Sequence, residues 1–452
     1  MFRLANDKRL TVENLGGFID KHREIVQNRY KPLMDAYRTK YPIFFQKSKP
    51  NWKPDKRIAV NFAKYITDTM NGFFIGIPIK VLCDEDKRVA EYVEFLDSYN
   101  DQDDNNAELS KLCDIYGKGY ELYYVDEQAN IRITYVSPME AFFIYDDSVL
   151  ERPRCFVRLY KDSDEIISGS VSDEQTVRYF TMEGGLHFLP EYEKVHGFEG
   201  VPASEYRENE EEIGIFEPVM TMINEYNEAI SEKANDVAYF ADAYLKILGA
   251  KLTKEELASL RDNRIINFDG SDSSSLIVEF LQKPNGDTTQ ENLLNRLEKL
   301  IFQISMVANI SDESFGSASG IALKYKLQAM SDLAMTKQRK FTSGMNRRYK
   351  LIFSNPVSGM KKDDWVKLSY QFTQNFPANL LEESQIAGNL AGITSKQTQL
   401  KVLSVVDNVQ NEIDQIEKEQ DEDGYMTDYP TNRTVVEDVI LGESAETVES
   451  SG

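Results

Sequence analysis

Residues Phe216 to Gly249 read FEPVMTMINEYNEAISEKANDVAYFADAYLKILG, and this stretch decides the architecture. Phe216, Val219, Ile223, Tyr226, Ile230, Ala234, Val237, Ala241, Tyr244 and Leu248 recur every three or four residues, which sets them on one stripe of a helix. Pro218 suits the first turn, where an N–H would have no partner, and Gly249 suits the end. The spacing predicts one helix of about 32 residues, roughly 48 Å at 1.5 Å per residue, well beyond ordinary globular length. Thr288 and Glu291 form a capping-box pattern that opens a second helix, with Leu293, Leu297, Leu300, Ile304 and Val307 at the same spacing. The two apolar seams are expected to pack together. Between them, Thr253 and Glu256 open a short helix, and the strand-like runs RIINF and LIVEF flank the loop DGSDSSS, which reads as a compact α/β tip.

Upstream, Ala59, Phe62, Ile66, Met70 and Phe73 predict a helix over Asp55 to Phe74, stopped by Gly76, Ile77 and Pro78. From Tyr120 the period becomes two: Tyr120, Leu122 and Tyr124 alternate, DEQAN turns, and Ile131, Ile133 and Tyr135 alternate again. With CFVRLY at Cys155 and TVRYF at Thr176, an antiparallel sheet region is predicted over residues 77 to 205. Downstream, SDESFGSASG at Ser311 to Gly320 is too rich in Gly and Ser to continue a helix and predicts a mobile loop. A third long helix is expected from Ile321 to Phe353; between Lys324 and Lys350 it carries eight Lys and Arg against Asp332 alone. A strand over Trp365 to Phe372 follows. Two helices come last, from Leu380 to Leu390 and from Ser395 to Glu422, separated at Gly392 and Ile393, with Thr394 or Ser395 as cap. The fold class is α+β, mainly α.

Composition excludes several classes. The 452 residues contain no apolar run of about 18, and MFRLANDKRL lacks the apolar stretch of a signal peptide, so neither membrane insertion nor secretion is expected. The net charge of -23 argues against tight binding of nucleic acid through its phosphates. From Glu412 to Gly452 there are 13 acidic and two basic residues, and this tail is expected to be disordered beyond Asp421. Cys83, Cys113 and Cys155 and the histidines His22, His187 and His196 never fall at ligand spacing, so buried thiols and surface imidazoles are expected. No GxxxxGK[ST] loop, GxGxxG turn, HExxH helix or GxSxG elbow occurs. The acidic pairs Asp103–Asp104 and Asp146–Asp147 could offer oxygens to a divalent metal, as a DNA-processing metalloenzyme would need, but 75 acids make such pairs by chance. The expectation is a non-enzyme with no cofactor and no metal.

Several segments, in order, resemble the portal proteins of tailed phages with long non-contractile tails. They are RIAVNFAKYITDTMNGFFIGIPI, YGKGYELYYVDE, HGFEGVP, the opening stretch from Phe216, SDESFGSASGIALKYKLQAM and NLAGITSKQTQLKVLSVVDNVQNEIDQIEKE. The resemblance covers residues 20 to 420 and implies a portal fold with long stem and crown helices, an antiparallel β wing and a small α/β clip. It divides the chain into an N-terminal segment (1–20), wing (21–214), first stem helix (215–249), clip (250–287), second stem helix (288–310), channel loop (311–320), long helix with returning wing strand (321–378), crown (379–422) and acidic tail (423–452).

The resemblance also implies a ring of twelve subunits at one capsid vertex, assembled in the host cytoplasm and carried in the virion. Its partners would be double-stranded DNA, the terminase, scaffolding and major capsid proteins and a head-completion adaptor, with no membrane. The channel loop would be Ser311, Asp312, Glu313, Ser314, Phe315, Gly316, Ser317, Ala318, Ser319 and Gly320. Glu225, Glu228, Glu232 and Asp236 form an acidic stem face that would let a polyanion slide, since a lysine lining would hold it by counterion release. Lys324, Lys337, Arg339, Lys340, Arg347 and Arg348 are expected to make subunit contacts or to steer DNA. The alternative on the same helices is an assembly scaffold or adaptor that encloses nothing.

Overall fold

The computed structural model describes residues 2–50, 53–161, 166–240, 245–248, 277–280, 287–310, 323, 325–375, 380–403, 405–406 and 409–426. The chain forms two units, Met1–Phe376 and Pro377–Gly452. In the first, a short strand β1 (Phe2–Arg3) precedes helix α1 (Val12–Ile25). Thr11 and Asn14 cap α1 reciprocally, each side chain accepting from the other's N–H. A π turn (Val26–Tyr30) carries the chain into α2 (Lys31–Tyr37). Asn61 caps α3 (Phe62–Ile75), which ends at Gly76 as its sequence predicts. Strand β2 (Lys80–Leu82), α4 (Lys87–Tyr99) and α5 (Gln102–Tyr116) follow. Apart from β2, the strands of the predicted region therefore begin at residue 118 rather than 77, because α4 and α5 occupy the interval. Leu109, Leu112, Cys113 and Tyr116 recur at helical spacing in α5 and are buried.

The predicted hairpin is β3 (Lys118–Val125) with β4 (Ile131–Val136), antiparallel. Then come β5 (Ala141–Tyr145), β6 (Pro153–Lys161), β7 (Ile167–Ser172), β8 (Thr176–Thr181), β9 (His187–Val195) and β10 (Ala203–Arg207). They form a six-stranded sheet in the order β1-β5-β6-β7-β8-β9 and a three-stranded sheet in the order β10-β3-β4. One face of the larger sheet packs Phe142, Ile144, Val157 and Phe180 against Leu15 and Ile19 of α1. Its other face packs Phe143, Tyr145 and Phe156 against Tyr120 and Val136 of the smaller sheet. Covered on both faces, β5 reads AFFIY, without the polar alternation that marked its neighbours.

Helix α6 (Met220–Phe240) is entered through a 3₁₀ turn at Glu217–Val219, and β11 (Leu245–Leu248) pairs antiparallel with β12 (Ile277–Phe280). The predicted helix is thus shorter than its stripe. Leu245 to Leu248 satisfies a strand as well as a helix, and its backbone pairs with the LIVEF run. Helix α7 (Asp287–Ser305) packs on α6. Helix α8 (Gln328–Ser354) follows, then a 3₁₀ turn (Asp364–Lys367) and β13 (Ser369–Gln371) paired with β2, in place of one strand over 365 to 372. The largest core draws on α3 (Ile66, Met70), α4 (Val93), α5, the start of α6, α7 (Ile301) and α8 (Phe341, Met345).

Helix α8 lies directly on β10. A Cβ at Gly344 would sit 2.5 Å from the Tyr206 ring, so only glycine allows this approach. Gly344→Ala is expected to cost about 1–3 kcal/mol by overpacking, measured as a lower denaturation midpoint with unchanged slope.

In the second unit, α9 (Leu380–Asn389) ends before Gly392, whose φ of 78° is the left-handed conformation a helix C-terminus favours. Ser395 caps α10 (Lys396–Leu400), and α11 (Val409–Met426) follows. The predicted single helix over 395 to 422 is therefore two.

Candidate functional site: the helical hairpin and the charges behind it

Arg29 fixes the root of α6. Its guanidinium donates to both oxygens of Glu217, at 2.7 and 2.9 Å, and to the Glu212 carbonyl, while Gly214 N–H also donates to Glu217. The Glu217 carboxylate raises the Arg29 pKa despite partial burial. The hairpin therefore leaves the body through a bidentate, charge-assisted joint.

Along α6, Asn227, Ser231 and Asn235 stand on one buried line, four residues apart. They hold an extended segment: Val60 N–H donates to Asn227 Oδ1 (2.8 Å), Ile58 N–H to Ser231 Oγ (2.9 Å) and Lys56 N–H to Asn235 Oδ1 (2.6 Å). Asn235 returns a bond to the Lys56 carbonyl (3.2 Å). This ladder explains why residues 55 to 60 are not the first turns of α3, as their apolar spacing suggested. Asn227→Ala is expected to leave the partly buried Val60 N–H unpaired at about 1 kcal/mol, read as faster hydrogen exchange at Val60 and earlier proteolysis within residues 45 to 60.

The expected acidic face is present on α6, but the protomer itself engages most of it. Glu228 accepts from Gln46 (2.9 Å), Glu232 pairs with Lys49 (2.5 Å) and Asp236 accepts from Gln290 of α7 (3.2 Å). Glu225 is exposed. Lys233 pairs with Glu291, which joins α6 to α7. On α7, Leu293 (44% exposed) and Ile304 (42% exposed), both expected in the seam against α6, are instead left uncovered by the protomer, while Leu294 and Ile301 are buried.

Behind the hairpin, the basic residues of α8 are corrected one by one. Lys337 and Arg348 are 0% exposed and cannot meet DNA or another subunit. Lys337 reaches Asp114 (2.5 Å), Glu208 (3.1 Å) and the Ser110 carbonyl (3.2 Å). Burial works against its ammonium, but Asp114 and Glu208 outweigh it and raise its pKa. Burial likewise drives the Asp114 carboxyl well above its ordinary value, opposed by Lys337 and reinforced by Glu208. Arg348 donates to both oxygens of Glu121 (2.6 and 2.9 Å) and to Asn106 (2.6 Å), and Glu121 also accepts from Tyr123 and Tyr206 (2.8 Å each).

Arg347 donates to the Ala203 and Val201 carbonyls, Lys340 pairs with Glu210, and Arg339 is exposed. The charges thus fasten α8 to β10, β3 and α5. Nothing in the sequence marks Asp114, Glu121 and Glu208 as their partners, since the pairs are 129 or more residues apart. The loop Ser311 to Gly320, Lys324 and most of the predicted tip lie outside the described residues.

The metal-ligand reading finds no support in the geometry. Asp146 accepts from Ser148 N–H, Ser148 Oγ and Arg152 N–H and so caps a turn, Asp147 accepts from Asn6 N–H, and Asp103 and Asp104 lie in the first turn of α5. Among the described residues, no group of three His, Cys, Asp or Glu is placed to hold a metal ion, and no helix is long and apolar enough to cross a membrane. Cys113 and Cys155 are buried as expected, with burial pushing Cys155 up to about 12. His22 is not a surface imidazole: it is buried, with Nε2 2.8 Å from the Pro138 carbonyl.

The chain is similar in sequence to curated portal proteins. A portal protein of Clostridium phage phiCD119 is 22% identical over 385 residues, covering 79% of this chain and 83% of the relative. That of Bacillus phage SPP1 is 24% identical over 411 residues, covering 85% and 80%. Among solved structures, a chain from the neck of an empty GTA particle computed with C6 symmetry has a TM-score of 0.46 at 9% identity, covering 75% of this chain and 89% of that one. Residues 17–425 match the family described as phage portal protein, SPP1 Gp6-like. The chain belongs to this portal protein family, a structural and non-enzymatic component of the phage.

Proposed function

We propose that copies of this chain close into a ring, twelve in the virion, that forms the channel for double-stranded DNA at one capsid vertex. A separate terminase motor drives packaging through it. The same ring is built in the host cytoplasm among scaffolding and capsid proteins, later seats a head-completion adaptor and passes the genome out at ejection. Wing, stem, clip and crown are assigned as the resemblance implies, with Ser311 to Gly320 as the channel loop.

The observation that carries this reading is the uncovered apolar side of α7, at Leu293 and Ile304, on a helix already packed along α6. A heterologous interface whose rotation closes leaves each copy with such a surface to bury. The exposed Glu225, Glu228 and Glu232 of α6 suit a surface past which a polyanion moves without sticking.

Negative-stain electron microscopy of the purified full chain tests it. Rings with a central opening are expected; discrete dimers, or a monomer at every concentration, overturn the reading. Deleting Glu313 to Ser319 is expected to leave rings intact and block DNA packaging, and full packaging by that variant removes the role given to the loop.

A further inference from the structure

The loop joining β5 to β6 presents two aliphatic side chains to solvent, Val149 (101% exposed) and Leu150 (70% exposed). Their display is built rather than accidental. Asp146 Oδ1 accepts from Ser148 N–H (3.2 Å), Ser148 Oγ (2.8 Å) and Arg152 N–H (2.8 Å), which closes the loop below the tip. Glu151 takes the left-handed backbone conformation, with φ 45°, and pairs with Arg3 of β1. An aliphatic pair held this far from any core invites a partner that buries it.

The same sheet carries a recess of about 540 Å³, formed where the outer strands β7, β8 and β9 face the β3–β4 hairpin. Its apolar lining includes Leu122, Val136, Val177 and Val195, with Tyr124 and Tyr135 at its mouth, and Val195 and both tyrosines are exposed. In the strand order β1-β5-β6-β7-β8-β9, the tip belongs to the β1–β5 side and the recess opens toward β9. Both are fixed to one sheet, so a subunit cannot fill its own recess with its own tip. The recess lining carries Arg158 and Lys194 against Glu140, while exposed Asp147 and Arg152 and the Arg3-paired Glu151 flank the tip, so the match between copies is apolar rather than electrostatic.

We infer that the Val149–Leu150 tip of one subunit seats in the recess between the β3–β4 hairpin and strands β7 to β9 of the next subunit in the ring. The inference rests on the ring reading above. It adds a contact between wings in which knob and hole lie toward opposite edges of one sheet, as a head-to-tail interface requires.

Cysteine cross-linking of the full chain tests it. Under mild oxidation, Leu150→Cys combined with Val195→Cys is expected to give a ladder of covalent multimers, whereas either single variant gives no more than the unaltered chain. In parallel, Val149→Asp with Leu150→Asp, whose wild-type side chains touch little of their own subunit, is expected to keep the wild-type melting temperature while raising the concentration needed for ring assembly at least tenfold. Rings visible by electron microscopy without the ladder, or rings of the double-aspartate variant at wild-type concentration, overturn the wing contact and leave the ring intact. A double-aspartate variant that forms normal rings but no longer joins another head component assigns the tip to that component and likewise overturns it. Absence of rings from the unaltered chain overturns both readings.

Discussion

Replacing Arg348 by alanine is expected to destabilise the first unit by about 3–5 kcal/mol, because it strands the Glu121 carboxylate in the core without its cation. Glu121 is held by both guanidinium nitrogens facing it, and two tyrosine hydroxyls donate to the same carboxylate. Removing the arginine therefore undoes the joint between α8 and the β3–β10 pair, not one contact. Urea denaturation of the variant should show a lower midpoint. Arg348→Ala combined with Glu121→Gln should lose less than the two single variants added together, since the neutral amide removes the stranded charge. A loss below about 1 kcal/mol for Arg348→Ala would show that the network orients α8 without holding it.

The second large effect concerns Lys337→Met, which leaves Asp114 and Glu208 facing each other in the core without an ammonium between them. The expected loss is about 3–5 kcal/mol near neutral pH. Its pH dependence has a definite sign. In the native chain the raised Lys337 pKa means that its contribution is fully present below the unfolded lysine value of about 10.4 and is lost as pH rises through the higher folded value. In the variant, Asp114 keeps the burial that raises it and loses the cation that opposed this, so the folded state takes up a proton more readily than the unfolded chain. The deficit should therefore shrink as pH falls from 7 toward 4, because without Lys337 the Asp114 carboxyl lies further above its unfolded value than it does in the native protein. Melting temperatures measured across that range for both proteins decide the point.

Much of the helical frame was legible because its signals are local. Asn61 to Ile75, the α6 stripe and the existence of α7 follow from spacings of three and four, although α7 buries Leu294 and Ile301 and leaves Leu293 and Ile304 of the predicted seam exposed, and the β3–β4 hairpin follows from alternating tyrosines and isoleucines. The errors arose where a distant group overrode the local pattern. Ala59 fits a helical stripe, but the N–H groups of residues 56, 58 and 60 find acceptors on α6, so the chain there is extended. Lys337 and Arg348 look like part of a solvated basic face until α5, β3 and β10 bring Asp114, Glu121 and Glu208 to them. The acidic face was visible in composition, but its pairing with Gln46 and Lys49 was not, because that segment folds back along α6 only in three dimensions.

The Asn227–Ser231–Asn235 ladder has a mechanical consequence. Four residues of helix advance about 6.0 Å, and two residues of extended chain advance about 6.6 Å, so the two rulers drift by roughly 0.6 Å at each rung. Three rungs stay within hydrogen-bonding tolerance, and a longer ladder would fall out of step. Tension drawn along α6 therefore meets a short fastening whose rungs share the shear at once instead of unzipping singly, and the tract from residue 56 to 60 works as a stay that resists sliding of the hairpin against the body.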